Sequence, residues 1–360
     1  MSLSKNELIE GYVGDRLKKV KNFELKVQTS VLLLKFFEEK GYEFYFCPKI
    51  KQKDNLENFK TPDFHAKKEN QEDLIGEIKQ SLPNPSYEHY TQKQGKDISQ
   101  LESYQKELVS ISTPHGVFFS VPGWCNEAIT EYIREISNNN ELKNKVIVLR
   151  YDTISGGNFS KIGVDKLYGD FKDSDLNTEF EFHKRYESGE GDLEKTQGGY
   201  KIYYTEEELN ETPIEYIMLI LWHNVIPELI NSSSKDRVLE RIQKGENTIE
   251  FEVDQLVSIL NKIYVLNGNE QTSNPQFKKE MIIKSMACFE KIGKAEKISD
   301  QNNHNPKYRV RHQKITTQKQ GLIDYLIREL NKDEFEKRAE IDYKRTVNKQ
   351  LNQNDTTNTY

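Results

Sequence analysis

Residues 61–80 read TPDFHAKKENQEDLIGEIKQ, and the fold turns on how this stretch pairs with itself. Side chains alternate faces along a β-strand. Glu77 and Lys79, two apart, therefore share a face of the segment LIGEIKQ. Ile75 and Ile78 lie on opposite faces, as in a strand covered on both sides. Asp63 sits on an earlier short segment, fourteen residues before Glu77. Asn70 and Asp73 bracket a polar turn between the two segments, which predicts a hairpin. The hairpin would bring two carboxylates and a lysine to one patch at a sheet end. Two carboxylates with open positions between them suit a hard divalent cation, Mg²⁺ or Mn²⁺. A lysine beside them can polarise a water or a phosphate oxygen. In a chain that is 31% Asp, Glu, Lys and Arg, a solvated hairpin with an ordinary surface ion pair is the alternative reading.

The flanking segments have a definite order. ELKVQTSVLLLKFFEEK (24–40) carries apolar residues at Leu25, Val27, Val31, Leu32, Leu34 and Phe36, and Gly41 follows as a helix C-cap. YEFYFCPKI (42–50) is rich in aromatics and reads as a strand. The Asp63 and Glu77 strands come next. Asp97 reads as the N-cap of a helix through Val109, with Ile98, Leu101, Tyr104 and Leu108 on one stripe. GVFFSV (116–121) reads as a buried strand. A helix over Asn126–Ser137 and a strand over KVIVLRY (145–151) complete the series.

With the helix–three strands–helix–strand order in place, Pro62-Asp63 and Glu77-Ile78-Lys79 resemble the two halves of the PD-(D/E)xK signature of the restriction-endonuclease-like nuclease superfamily. The resemblance covers about 130 residues of a nuclease domain read over residues 1–151. Within the helix after Lys79, Gln100 and Tyr104 lie one turn apart on one face. They are similar to the QxxxY element of the exonuclease-like branch, in which the Gln and Tyr sit over the metal site. The resemblance implies a hydrolase acting on ester bonds, a Mg²⁺- or Mn²⁺-dependent (deoxyribo)nuclease. Asp63, Glu77 and the Ile78 backbone carbonyl would be the metal ligands. Lys79, Gln100 and Tyr104 would complete the catalytic set. Many relatives carry a Glu in the first helix. Here that zone holds Gln28, Thr29 and Ser30, so Glu24 or Gln28 is the candidate third ligand. His65 shares the parity of Asp63 and is a candidate for the same face.

The chain has 360 residues, 52 Lys plus Arg against 58 Asp plus Glu, and a formal net charge of -6. This length predicts two domains. The acidic balance argues against a polycationic tail but permits a local basic stripe. Cys47, Cys125 and Cys288 are far apart and form no CxxC, which points to a reducing compartment, the cytoplasm, and to no structural zinc. The apolar run IEYIMLILWHNVIPELI is broken by Glu215, His223, Asn224 and Pro227, so no membrane partner is expected.

Residues 152–211 are rich in Gly, Asp and Ser, and EFEFHKRY and YKIYYT read as a hairpin within a connector. Its acidic ESGEGD fits no ligand loop and reads as a solvated turn. Residues 212–346 read as a mainly α domain. Pro213 opens a helix, IEFEV (249–253) is a strand, and Asp254 caps the next helix. A further helix ends at Gly293, followed by the strands KAEKIS and KYRVRHQ. The order resembles a winged helix-turn-helix. That resemblance implies DNA contact by Lys278, Lys279 and Lys284 on the helix and by Lys307, Arg309 and Arg311 on the wing. A helix to Val347 and a disordered tail, 347–360, finish the chain. The implied partner is DNA, with RNA left open. A second copy of the chain or another protein is the alternative partner of the winged domain. Repair, restriction and defence all suit such a nuclease. A catalytically inactive, nuclease-like DNA-binding regulator or adaptor is the alternative function.

Overall fold

The computed structural model describes residues 4–46, 49–52, 57–86, 90–107, 116–156, 159–181, 186–187, 212–232, 248–263, 278–299, 305–311 and 319–357. It divides into two compact units. One comprises residues 22–211 with 263–276, and the other residues 1–21, 212–262 and 277–360.

Helix α1, Lys5–Glu39, runs through both. It starts earlier than the apolar pattern indicates, because Ser4 and Glu7 form a reciprocal capping box: the Ser4 N–H donates to Glu7 Oε2 at 2.7 Å and the Glu7 N–H to Ser4 Oγ at 3.3 Å. It ends where expected. Gly41 adopts φ +77°, the Tyr42 N–H reaches the Phe37 carbonyl at 2.9 Å, and the Gly41 N–H reaches that of Glu38 at 3.0 Å. The Phe37 and Tyr42 rings pack 5.5 Å apart across this turn, the apolar contact that accompanies such caps.

The larger unit holds a seven-stranded sheet. In chain order its elements are β1 Glu43–Phe46, the two-residue pair β2 Ile50–Lys51 and β3 Phe59–Lys60, β4 Phe64–Lys67, β5 Leu74–Ile78, α2 Tyr90–Glu107, β6 Gly116–Pro122, α3 Asn126–Asn138, β7 Val146–Gly156, β8 Phe159–Tyr168, α4 Ser174–Glu179 and β9 Tyr186–Glu187. The sheet order is β1-β4-β5-β6-β7-β8-β9, and β2 pairs with β3 apart from it. β4 and β5 form the expected antiparallel hairpin, with Phe64 opposite Gly76. β5, β6 and β7 are parallel. Parallel strands need helices on both faces. Accordingly, Leu74 and Ile78 pack with Leu32, Phe36 and Phe37 of α1, whereas Ile75 packs with Leu101 and Tyr104 of α2 and Tyr132 of α3.

Three expectations change here. α2 begins at Tyr90, so Asp97 lies inside the helix rather than at its cap, and its carboxylate meets side chains instead. β7 crosses residue 151 and pairs with β8, so the sheet takes up the start of the segment read as a connector. Residues 174–179 are helical, with Asp173 as N-cap, so the first residue of EFEFHKRY closes a helix; its last, Tyr186, stands in β9, and residues 182–185 lie outside the described residues. YKIYYT, and ESGEGD beyond Glu187, lie outside the described residues.

The second unit contains α5 Ile214–Ile220, a π-helical turn Leu221–Val225, α6 Ile226–Ser232, β10 Thr248–Glu252, α7 Val253–Ile263, α8 Lys279–Lys291, β11 Ala295–Ser299, β12 Lys307–Arg311 and α9 Lys319–Thr357. The π turn stands directly before Pro227, which has no N–H to give the preceding turn and whose ring crowds the carbonyl of residue 223. The buried Glu215 is gripped by Arg16 through two hydrogen bonds of 2.9 Å. β10, β12 and β11 form an antiparallel sheet in that order. Gly293, at φ +69°, ends α8. α9 runs on through Thr357, so the tail expected to be disordered from 347 is helical there. QLNQND contains no Gly or Pro to stop it. Among the described residues, no helix is long and apolar enough to cross a membrane.

Candidate active site on the β4–β5 hairpin

The hairpin register sets the site. Phe64 opposes Gly76, so one step further along each strand Asp63 stands across from Glu77. Asp63 is held at both oxygens: Oδ2 accepts from the Ile78 backbone N–H at 2.5 Å, and Oδ1 accepts from Lys26 Nζ at 3.1 Å. The N–H and C=O of one strand residue point to the same edge, so the Ile78 carbonyl is turned to the Asp63 side.

Glu77 faces α2. Gln100 Nε2 donates to Glu77 Oε1 at 2.9 Å, and the Tyr104 hydroxyl donates to the same oxygen. Gln100 Nε2 also lies 2.8 Å from the Tyr104 oxygen. Lys79 Nζ lies 3.5 Å from Glu77 Oε2 and donates to Gln100 Oε1 and Asp97 Oδ1, each at 3.0 Å. The Tyr132 hydroxyl holds the other Asp97 oxygen at 2.6 Å, and the Tyr151 hydroxyl donates to the Lys79 carbonyl. Helical spacing explains the convergence. Asp97, Gln100 and Tyr104 are three and four residues apart, hence on one face of α2.

The charges do not balance. With all three ionised, Asp63, Glu77 and Asp97 set three negative charges against the two positive ones of Lys26 and Lys79 in the contacts described. Glu77 is the carboxylate least able to carry the excess. Burial, together with the charge on Asp63, pushes its carboxyl up to about 7. Burial pulls the Lys79 ammonium down, but Glu77, Asp97 and Asp63 more than offset this and hold it charged. Burial and the Glu77 carboxylate push the Tyr104 hydroxyl far up, so it stays a donor.

Asp63, Glu77, Lys79, Gln100 and Tyr104, drawn from two strands and a helix, are thus brought together. The first-helix acid is not. Lys26 supplies the contact to Asp63. Residues two apart on a helix diverge by about 200°, so Glu24 and Gln28 project from another side of α1. Among the described residues, no group of three or more His, Cys, Asp or Glu side chains is placed to hold a metal. Helical spacing thus turns Glu24 away from the side of α1 that presents Lys26 to Asp63. His65 is buried and lies 3.2 Å from Asp73, and burial lowers its pKa, so it is a neutral partner of Asp73. Lys26 had a sequence signal: a lone lysine in a helix segment whose neighbours Leu25 and Val27 are both core residues.

In the second unit, three of the six basic residues expected to meet DNA, Lys279, Lys307 and Arg309, pair with acidic neighbours. Lys307 and Arg309 both pair with Glu250, at 2.9 and 2.8 Å, and Arg309 also reaches Glu296 at 3.4 Å. Lys279 pairs with Asp254 at 2.5 Å. Lys278 is the N-cap residue of α8, and Lys284 lies exposed on it. Arg311 stands across from Thr248. β12 is the central strand of its sheet, so Lys307 and Arg309 occupy a face rather than an edge.

The chain matches no family model, no curated protein and no solved structure.

Proposed function

We propose that this chain is a divalent-metal-dependent nuclease of the PD-(D/E)xK type that hydrolyses phosphodiester bonds in DNA, with a winged-helix-like second module. The observation that carries the reading is the hydrogen-bond chain Lys79–Gln100–Tyr104–Glu77 beside Asp63. It links four of the five residues that the motif resemblance names, from β5 and its end and from α2, and the Ile78 N–H ties the fifth, Asp63, to the same strand. The donor set suits a hard cation: two carboxylates and the Ile78 carbonyl, with water for the remaining positions, as Mg²⁺ prefers. The excess negative charge supports the fit. A bound cation would polarise the scissile phosphate and neutralise the charge that develops on it. Lys79 would orient the attacking water and offset charge at the phosphate. Gln100 and Tyr104 would hold Glu77 in one rotamer and so keep the ligand geometry fixed.

The test is degradation of plasmid and linear DNA with Mg²⁺, with Mn²⁺ and with chelator. Cleavage should need the cation and should vanish in Asp63→Ala and Glu77→Ala. Wild-type protein that takes up no Mn²⁺ at millimolar concentration in calorimetry would overturn the reading. The Lys26–Asp63 pair favours a second one, a catalytically inactive nuclease-like regulator or adaptor in which a lysine stands in for the cation. That protein would bind DNA in chelator and never cut it.

A further inference from the structure

A cleft of about 440 Å³ opens beside the hairpin, and its lining includes Phe59, Lys60, Lys96, Ser99, Gln100 and Tyr104. It borders the site, because Gln100 and Tyr104, which line it, are the residues that hold Glu77. One wall is α2. Lys96, Ser99 and Gln100 are three and four apart and share the face that presents Gln100 to Glu77. The other wall is the β2–β3 pair, in which Lys51 stands opposite Phe59 and Ile50 opposite Lys60. Ile50 is buried in the core on the α2 side of the sheet, which anchors this pair.

Phe59 is the anomaly. It is 47% exposed, one of the few large apolar side chains so exposed among the described residues. It stands at a cleft whose other lining is polar and basic. An aromatic ring in such company has a specific use. A nucleobase stacks on it, while lysines and hydroxyls take the adjoining phosphates. A base inside a duplex has no free face to offer. We infer that this cleft binds an unstacked nucleotide of a single-stranded nucleic acid segment, with the base on Phe59 and the backbone on Lys60, Lys96 and Ser99, and leads that strand to Glu77. The inference rests on the nuclease reading of the site and assigns its substrate class: a single strand, an overhang or a frayed end, rather than a continuous duplex.

The test is binding in chelator, so that no cleavage intervenes. Fluorescence anisotropy would compare a ten-nucleotide oligothymidylate, the same length in RNA, and a blunt DNA hairpin. A second readout uses an oligonucleotide carrying 2-aminopurine, whose fluorescence is quenched on stacking. The DNA strand should bind more tightly than the hairpin, and the RNA arm reports whether the sugar matters. Phe59→Ala should weaken single-strand binding by roughly 5- to 100-fold, the scale of one lost base–aromatic stack, and should relieve the quenching, while Phe59→Tyr restores both. Lys60→Ala with Lys96→Ala should lower the salt slope by about 1.4, at ~0.7 per phosphate. Phe59 is exposed, so its variants should melt like wild type. Equal affinity for hairpin and strand, or a Phe59→Ala variant that binds and quenches as wild type does, would overturn the inference even if the protein cuts DNA. Intact Phe59-dependent binding without metal-dependent cleavage would leave the cleft standing and remove the nuclease.

Discussion

Lys26 Nζ lies 3.1 Å from Asp63 Oδ1, with both side chains largely buried at 14% and 17% exposure. A cation thus already sits at the carboxylate that the resemblance assigns to a metal. It comes from the helix that corresponds, in the resemblance, to the one carrying an acid in many members of that superfamily. The ammonium repels an incoming dication and also competes for its ligand. Lys26→Ala should therefore raise Mn²⁺ affinity by roughly tenfold, about 1.4 kcal/mol, a modest share of the Coulomb term in a partly screened site. It should also lower the stability of the metal-free protein, since Asp63 then loses the ammonium that contacts it while still facing Glu77. Calorimetric titration and urea melts in chelator measure the two effects. Unchanged Mn²⁺ affinity would mean that the cation binds away from Asp63.

Glu77 should make the metal-free protein less stable as pH rises. Its folded carboxyl is pushed from an ordinary 4.5 up to about 7, first by burial and then by Asp63. Between those values the folded state holds a proton that the unfolded chain has released. Stability is full below 4.5, falls through this window and levels off above 7. The loss is at most about 3 kcal/mol, at ~1.36 kcal/mol per pH unit. Glu77→Gln should flatten the profile and be more stable than wild type at pH near 8. Urea melts across this range in chelator would read the slope, and a wild-type profile that rises through the window would contradict it.

Gln100 bridges Lys79 and Glu77 at 3.0 and 2.9 Å. Its removal takes one hydrogen bond from each and loosens their alignment. Gln100→Ala should slow DNA cleavage by ~10- to 1000-fold, the scale of a lost positioning group. Tyr104→Phe, which deletes one of the two donors to Glu77 Oε1, should have a smaller effect and cost about 1 kcal/mol of stability. Single-turnover rates separate these losses from altered DNA binding.

Gly76 should be irreplaceable. Its cross-strand neighbour is Phe64, whose ring lies where a Cβ at position 76 would stand. Phe64 is fully buried and stacks on Phe44 at 4.9 Å, so it has little room to retreat. Gly76→Ala should destabilise the protein by about 2–3 kcal/mol, the usual cost of overpacking a core. It should also weaken Mn²⁺ binding, because Asp63 and Glu77 flank this pair. Thermal melting and the same titration would report it, and a stable variant with intact metal binding would show that the hairpin register does not depend on this contact.

The sequence determined on its own whatever is local and periodic. Strand alternation put Ile75 and Ile78 on opposite faces and Glu77 with Lys79. Gly41 and Gly293 ended their helices, and the one-turn spacing of Gln100 and Tyr104 set them on one side of α2. Each follows from a fixed repeat, of two residues or 3.6, or from the left-handed conformation that glycine tolerates. Only the tertiary structure decided which elements meet. Lys26 reaches Asp63 across 37 residues of chain, a pairing that no local period encodes. Asp97 reads as a helix cap until β5 and α3 bring Lys79 and Tyr132 to it. Lys307 and Arg309 look like a basic strip until antiparallel pairing sets Glu250 beside them. Charge in a sequence is additive. In a fold it depends on which opposite charge the register brings within hydrogen-bonding distance, and that is a property of packing between elements.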